Sequence, residues 1–371
     1  MKLVANVASG IEAVTKRELS DLGYETQTEN GKIYFEGDYS DVAKTNLWLR
    51  SADRIQIILA NFKAWSFEEL FDRIYEIPWE EIIPLNGKII VNARSKLSKL
   101  FSLSDIQAIS KRAIIKKLQT VYHRSGHLPE TGAIYSLNVR FEKNQAEVLL
   151  DTTGDSLFKR GYRIEKGVAP LKENMAASLI LLTNWHPDLP FVDPMTGSGT
   201  LAIEAALIGA NIAPGLKRDF LFNHFANVDP KILEEAKIFA KEAINRSVNL
   251  EIFASDLNQN MIAISEQNAH GAGIHNLIQF KQVALRDLEL DNKKGVIVVN
   301  PPYGQRMGEI NQAHELYRQM GEKFIPLNKW SKYIITSDLD FEEYYGEKAT
   351  KKRKLFNGAI RTDYFQFWGE N

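Results

Sequence analysis

A doubly wound α/β fold preceded by small α+β domains is the class this sequence predicts, and three observations carry it. From Gly295 to Gly304 the chain reads G-V-I-V-V-N-P-P-Y-G, a run of β-branched residues from Val296 to Val299 that stops at a prolyl turn. Such a run describes a parallel strand buried on both faces. From Lys172 onward, short apolar strands alternate with helical patterns, the signature of βαβ units. Before Asp155 the chain mixes hairpins with helices, and 371 residues exceed what one core normally supports.

In chain order, Lys2–Val7 reads as a strand and Glu12–Leu22 as a helix closed by Gly23. A hairpin follows over Thr26–Phe35 with Asn30-Gly31 at its tip, then a helix over Asp41–Leu49 and a strand over Arg54–Leu59. The next segment repeats the mixture: helix Phe67–Ile77, strand Lys88–Ala93, helix Ser104–Leu118 with Ser104 as candidate cap, and strands Tyr135–Arg140 and Gln145–Asp151. A connector over 155–170 leads to helix Lys172–Leu182 and the short strand Phe191-Val192. Helix Leu201–Gly209 comes next. Ala213–Asn249 reads as an insertion with an extra helix. Beyond it come strand Ile252–Asp256, helix Asn260–Ala269, strand Ile278–Val283, strand Val296–Val299, helix Ala313–Phe324, strand Tyr333–Thr336 and a closing strand pair. The expected domains are 1–60, 61–154, a linker over 155–170, and 171–371.

Composition narrows the function classes. Hydrophobic residues make up 44% and charged residues 25%, with a net charge of −1, as in an ordinary water-soluble protein. No run approaches the roughly 18 uncharged apolar residues of a membrane span, and Glu12, Asn6 and Ser9 interrupt any signal-peptide core. A cytoplasmic location without membrane contact is the expectation. The chain has no cysteine, which removes thiolate metal sites and cysteine nucleophiles. Its seven histidines show no zinc-like spacing, so no metal is expected.

Charge is uneven along this near-neutral chain. Lys88, Arg94, Lys96, Lys99, Lys111, Arg112, Lys116, Lys117 and Arg124 fall in one segment opposed only by Asp105. A local positive excess is the footprint expected for a phosphate backbone. A solvated helix face would explain the helical members but not Arg94, Lys96 and Lys99, which follow a strand.

The segment Asp193-Pro194-Met195-Thr196-Gly197-Ser198-Gly199-Thr200 sits between a strand and an apolar helix. Its glycines let the backbone approach a ligand, and the helix N-terminus favours polar or anionic groups. A P-loop would need Lys after the last glycine, where Thr200 and Leu201 stand. A dinucleotide fingerprint would need a third glycine and an acidic strand end about 20 residues on. Asp219, at that distance, has no strand before it; the acidic strand end is Asp256. The ligand this leaves has a ribose but no pyrophosphate.

At the end of the opening strand, Pro302 holds Pro301 extended. The Asn300 side chain and the Pro301 carbonyl can thus act as a rigid pair of acceptors, suited to an exocyclic NH2 group, with Tyr303 beside them as a stacking surface. A strand ending in a plain Pro-Pro turn is the alternative reading of those residues alone.

Together, D-P-M-T-G-S-G-T, Asp256 and N-P-P-Y-G resemble the S-adenosylmethionine-dependent amino-methyltransferases, and the segment before them resembles a THUMP RNA-binding domain behind a ferredoxin-like segment. Gly161-Tyr162-Arg163, Ala169-Pro170-Leu171-Lys172-Glu173-Asn174 and Leu355-Phe356-Asn357-Gly358-Ala359 extend the likeness over nearly the whole chain. They make it similar to the N-terminal half of the bifunctional bacterial large-subunit ribosomal RNA guanine-N2 methyltransferases and to their free-standing relatives.

That resemblance implies a Rossmann-like class I methyltransferase domain over 171–371, with S-adenosylmethionine as cofactor. Asp193, Thr196, Gly197, Gly199 and Thr200 would hold its methionine end and Asp256 its ribose. Asp287 would take the adenine amine, although the family's acidic position could instead fall on Ala284. Asn300, Pro301 and Tyr303 would hold the base, and Arg94, Lys96, Lys99, Lys111, Arg112 and Lys116 the RNA. The implied substrate is a guanine N2 amine in 23S ribosomal RNA or a large-subunit precursor. A transfer-RNA guanine, an adenine N6, or an inactive assembly factor that only binds RNA are the alternatives.

Overall fold

The computed structural model describes residues 1–163, 171–291, 293–302, 307–357 and 360–370. Its first part runs β1 (Lys2–Asn6), α1 (Glu12–Asp21), β2 (Gln27–Glu29), β3 (Lys32–Glu36), α2 (Tyr39–Trp48), β4 (Arg54–Lys63), α3 (Phe67–Tyr75), β5 (Lys88–Lys96), α4 (Leu103–Val121), β6 (Ile134–Glu142) and β7 (Gln145–Asp151). These strands form one seven-stranded sheet in the order β2-β3-β1-β4-β7-β6-β5. The division expected at residue 60 falls inside β4, which pairs β1 on one side and β7 on the other. Two α+β segments thus share one continuous ladder.

Helices cover only one face of that sheet. Along β5, Ile89 is buried while Lys88, Ile90, Asn92, Arg94 and Lys96 are exposed, the alternation of a half-buried strand. α4 packs Ile106, Ala113, Ile114 and Leu118 against the apolar face. Two expectations are corrected here. β5 continues to Lys96, so Arg94 and Lys96 lie on the strand and not after it. α4 begins at Leu103 with Ser102, not Ser104, at the cap position, and the Ser102 side chain makes no capping bond.

The second part runs α5 (Glu173–Leu181), β8 (Phe191–Asp193), α6 (Thr200–Gly209), α7 (Lys231–Glu242), β9 (Ile252–Asp256), α8 (Gln259–Ala272), β10 (Gln279–Gln282), β11 (Gly295–Val299), α9 (Met307–Phe324), β12 (Trp330–Thr336), α10 (Phe341–Tyr345), β13 (Lys351–Asn357) and β14 (Ile360–Phe367). Its sheet has the order β10-β9-β8-β11-β12-β14-β13, with β10 through β12 parallel and β14 antiparallel to β12. β11 is buried at every position because helices lie on both faces.

The two parts are packed into one body. Phe220, Phe222, Phe225 and Leu233, in the stretch that reads as an insertion, join the N-terminal core, with Phe225 stacked on Tyr135 at 4.8 Å. α1 and the residue that precedes it work both ways: Leu19 enters the N-terminal core, Ile11 and Val14 the core of the second part. The connector adds a buried ion pair, Arg160 to Glu204 at 3.5 Å, while the Arg160 guanidinium also donates to the Leu157 and Arg50 carbonyls. Burial pushes the neighbouring Arg50 down to about 10, against the attraction of Glu204 and Glu18. No helix among the described residues is long and apolar enough to cross a membrane.

Candidate active site

The carboxyl ends of β8, β9 and β11 meet at the switch point of the catalytic sheet, where open α/β folds hold ligands. The loop from β8 to α6 turns there on two glycines in the left-handed region, Gly197 at φ 50° and Gly199 at φ 84°. At Gly199 a Cβ would lie 2.8 Å from Ser265 Cβ, so α8 packs directly against the loop. Over Gly197 the space is open, with nothing within 4 Å of where a Cβ would stand.

Hydrogen bonds from neighbouring elements set this loop. The Thr196 N–H donates to the Ser255 carbonyl at 2.9 Å and the Gly199 N–H to the Thr196 carbonyl at 2.8 Å. The Gly197 N–H donates to Asp256 Oδ2 at 3.0 Å, and the Asn268 side-chain amide to the Ser198 carbonyl at 2.9 Å. Asp256 Oδ1 also accepts the Asn258 N–H at 2.9 Å. A carboxylate offers about four lone-pair positions, so Asp256 retains acceptor capacity for a diol.

Asp193 behaves differently. It is 1% exposed, and neither carboxylate oxygen, nor the Thr196 hydroxyl, closes a hydrogen bond of full geometry among the described residues. Burial is the main reason its pKa rises to about 7, with the charge of Asp256 adding to it; the nearby Thr196 hydroxyl and Met195 N–H pull the other way. A buried, unpartnered carboxyl at the mouth of a glycine loop fits a ligand that brings an ammonium group.

Thr200 opens α6 and receives a bond from Arg163 Nη2 at 3.1 Å; Arg163 Nε donates to Glu173 Oε1 at 3.0 Å. Arg163 thereby ties the starts of α5 and α6 together. Ser265, Asn268 and Arg163 are the loop-setting residues that sequence reasoning did not assign. Arg163 lies in the Gly161-Tyr162-Arg163 motif, which gives it no role by itself; no local pattern marks Ser265 or Asn268, since each meets the loop across tens of residues of chain.

On the next strand, β11 pairs β8 through Val296–Phe191 and Ile297–Val192. Asn300 and Pro301 therefore emerge at the same end of the sheet as Asp193. Pro301 is buried, Asn300 half-buried and Pro302 exposed. Tyr303 lies outside the described residues. Asp287 is exposed on a 3₁₀ turn over Leu285–Asp287, its carboxylate 3.5 Å from Arg286. No contact joins it to the glycine loop among the described residues.

The basic residues do not form one patch. Arg94 and Lys96 point to the open face of the N-terminal sheet, while α4 lies on its other face. There Lys111 pairs with Glu130 at 2.8 Å, the Arg112 guanidinium stands 5.4 Å over the Phe71 ring, and Lys116 lines a groove between α3 and α4. Lys99, in the loop after β5, donates its backbone N–H to Asn144 Oδ1 at 2.8 Å.

A family profile described as RMKL-like, methyltransferase domain matches residues 160–366. The chain belongs to this methyltransferase family. Profiles for the RlmL ferredoxin-like domain and the THUMP domain match residues 2–56 and 64–151. YpsC of Bacillus subtilis, named as a candidate RNA methyltransferase, is 49% identical over 99% of this chain and 96% of its own. The ribosomal RNA large subunit methyltransferase K/L of Syntrophotalea carbinolica is 32% identical over 99% of this chain but only 53% of its own length, so the chain spans about half of the K/L proteins it matches. Among solved structures, SMU.472 complexed with SAH is 47% identical with a TM-score of 0.95, covering 100% of this chain and 98% of that one. A Listeria monocytogenes protein described as a predicted N6-adenine-specific DNA methylase is 46% identical with a TM-score of 0.95, covering 100% and 96%. As a member of the RMKL-like family the chain takes S-adenosylmethionine as its cofactor, and the open space over Gly197, the unpartnered Asp193 and the acceptor-rich Asp256 fit it.

Proposed function

We propose that this chain methylates the exocyclic N2 amine of a guanine in 23S ribosomal RNA or a large-subunit precursor. The observation that carries the reading is the placement of Asn300 and Pro301 at the end of β11, one strand away from the Asp193 glycine loop. S-adenosylmethionine supplies an electrophilic methyl group. Asp193 would neutralise its ammonium, the N-terminus of α6 behind the glycine loop would favour its carboxylate, and Asp256 would accept from its ribose hydroxyls.

The remaining work falls to Asn300 and Pro301. A guanine N2 lone pair is delocalised into the ring, which makes the amine a weak nucleophile. Acceptance of its two N–H bonds by Asn300 Oδ1 and the Pro301 carbonyl favours a pyramidal nitrogen with its lone pair free to attack. Positioning of this kind can supply up to about 7–11 kcal/mol of the barrier. A paired base must first leave its stack at a few kcal/mol; stacking on Tyr303, at roughly 1–3 kcal/mol, would offset part of that cost.

The ribosomal substrate is supported by the likeness to the K/L proteins over nearly the full chain. Adenine N6 is the second reading, favoured by the description of the Listeria relative. Incubation with labelled cofactor and unmodified ribosomal or transfer RNA, followed by nucleoside analysis, separates them: N2-methylguanosine in large-subunit RNA is the expected product. Label confined to transfer RNA or to N6-methyladenosine would overturn the assignment. Failure to bind S-adenosylmethionine in calorimetry would instead point to an inactive assembly factor.

A further inference from the structure

A second cavity lies where the two parts of the molecule meet. It encloses about 430 Å³, within the range of roughly 300–1,000 Å³ in which proteins hold small ligands. Its walls come from five distant stretches: the loop after β1 (Val7, Ser9, Ile11), Asp53 just before β4, Arg94 of β5, the start of α5 (Lys172, Asn174, Met175) and Phe356 of β13. None of the cofactor or base-holding residues described above lines it. Tight packing forms the loop side, since a Cβ at Gly10 would lie 2.7 Å from the Lys354 carbonyl oxygen.

Two features place this cavity on the path of a substrate strand. Phe356 pairs with Arg361 on β14, two residues beyond the Asp363 that pairs with Thr336 at the end of β12. Phe356 therefore stands at the carboxyl end of the catalytic sheet, the end that carries Asn300. On its other side the cavity shares Val7, Ser9, Asp53 and Arg94 with the large cleft over the open face of the N-terminal sheet. The two spaces adjoin across those residues.

The chemistry of the walls is that of a nucleotide site. Ile11 and Met175 give a buried apolar floor and Phe356 a half-buried ring. Two cations face one carboxylate: Arg94 and Lys172 form no ion pair among the described residues, and Asp53 is engaged by the Asn174 amide at 3.4 Å. The Lys172 ammonium rests 4.8 Å over the Phe158 ring, a contact that leaves it free to meet a phosphate. An aromatic surface with a cationic rim suits single-stranded nucleic acid, whose bases stack and whose phosphates need counter-charge.

We propose that this junction cavity binds an unpaired RNA nucleotide flanking the methylated base, with its base stacked on Phe356 and its phosphate held by Arg94 and Lys172. The strand would thus pass from the open sheet face through the cavity to Asn300. The proposal rests on RNA being the substrate and adds the route by which it reaches the site.

The test combines crosslinking with affinity measurement. Unmodified large-subunit RNA fragments carrying 4-thiouridine, irradiated with the full-length protein, should crosslink to peptides holding Phe356 or the start of α5. Phe356→Ala should weaken RNA binding roughly 5- to 150-fold, the equivalent of one lost stack, while S-adenosylmethionine affinity stays within twofold. Phe356→Tyr should restore binding, which separates stacking from misfolding, and Lys172→Gln should lower the salt dependence of binding by about one counterion. Methylation of RNA by the parent protein, together with unchanged RNA affinity in Phe356→Ala and Lys172→Gln, would overturn the subsite and leave the RNA methyltransferase reading standing. Absence of RNA binding and RNA methylation by the parent protein would overturn both.

Discussion

The two seven-stranded sheets of this molecule solve the same burial problem in opposite ways. The catalytic sheet is covered on both faces, β11 is buried from Gly295 to Val299, and polar chemistry collects where its strands end, at Asp193, Asp256 and Asn300. The N-terminal sheet is covered on one face only. Its other face carries Arg94, Lys96, Asn138 and Arg140 and borders a cleft of about 1520 Å³. A sheet closed on both sides can position a few atoms at its rim; a sheet closed on one side offers area to a long ligand. The parallel strands require the first arrangement, and mixed pairing with alternating residues permits the second.

If that contrast holds, lesions in the two sheets should fail in different ways. Asn300→Ala should produce the largest effect, a loss of about 10²–10³-fold or more in kcat, the scale of removing a group that acts at the reacting centre. Cofactor and RNA affinities, by calorimetry and filter binding, should move only a few fold. A variant that kept its turnover would remove the strand end from the chemistry.

Stability should divide along the same line. Ile297→Ala opens a cavity in a doubly covered strand and should cost about 2–5 kcal/mol. Ile90→Ala, on the open face at 38% exposure, should stay within about 0.5 kcal/mol. Denaturant melts that gave equal costs would mean the N-terminal face is covered after all.

Asp193 provides a pH signature of the closed sheet. Its carboxyl, raised to about 7 in the fold, keeps its proton after the unfolded chain has lost its own near the ordinary value of about 3.9. Folding stability from this group therefore falls as pH rises from about 4 to about 7 and is level above that. Asp193→Asn should raise the melting temperature most at pH 8, by less at pH 5, and by almost nothing below about pH 4, where the folded and unfolded carboxyls are both protonated. In the parent protein, S-adenosylmethionine affinity should weaken as pH drops through about 7, and the variant should lose that dependence. Calorimetry showing the same pH slope in both would exclude Asp193 as the ammonium partner.

The smallest effect should distinguish the two faces of the N-terminal sheet. Arg94→Gln with Lys96→Gln should lower the salt slope of RNA binding by about two. Lys111→Gln with Arg112→Gln should lower it by less, because Lys111 is held by Glu130 at 2.8 Å and Arg112 rests on Phe71, whereas Lys96 meets Glu142 only at 3.8 Å in an exposed pair. Equal slopes in the two double variants would place RNA on the helical face as well.

Much of this was legible in the residues. The run from Val296 to Val299, the D-P-M-T-G-S-G-T loop and the acidic end of β9 announce their own conformations. Strand burial, positive φ at glycine and proline geometry are local properties, expressed over spans of a few residues. The α/β order of the catalytic domain and the position of its glycine loop follow from them.

Other features belong to the tertiary structure alone, because they depend on pairing between distant stretches. No local pattern shows that β4 joins the two N-terminal segments into a single ladder, or that the three phenylalanines of the apparent insertion fill the N-terminal core. The basic segment is contiguous in the chain, yet a strand and the helix packed on it present their charges to opposite faces of one sheet, which divides it. The clamp of Arg163 on Thr200 and Glu173 and the cavity shared by Arg94, Lys172 and Phe356 arise only once chain folding has brought those residues together. Local sequence encodes backbone conformation; which side chains meet is decided by the cores that must close around them.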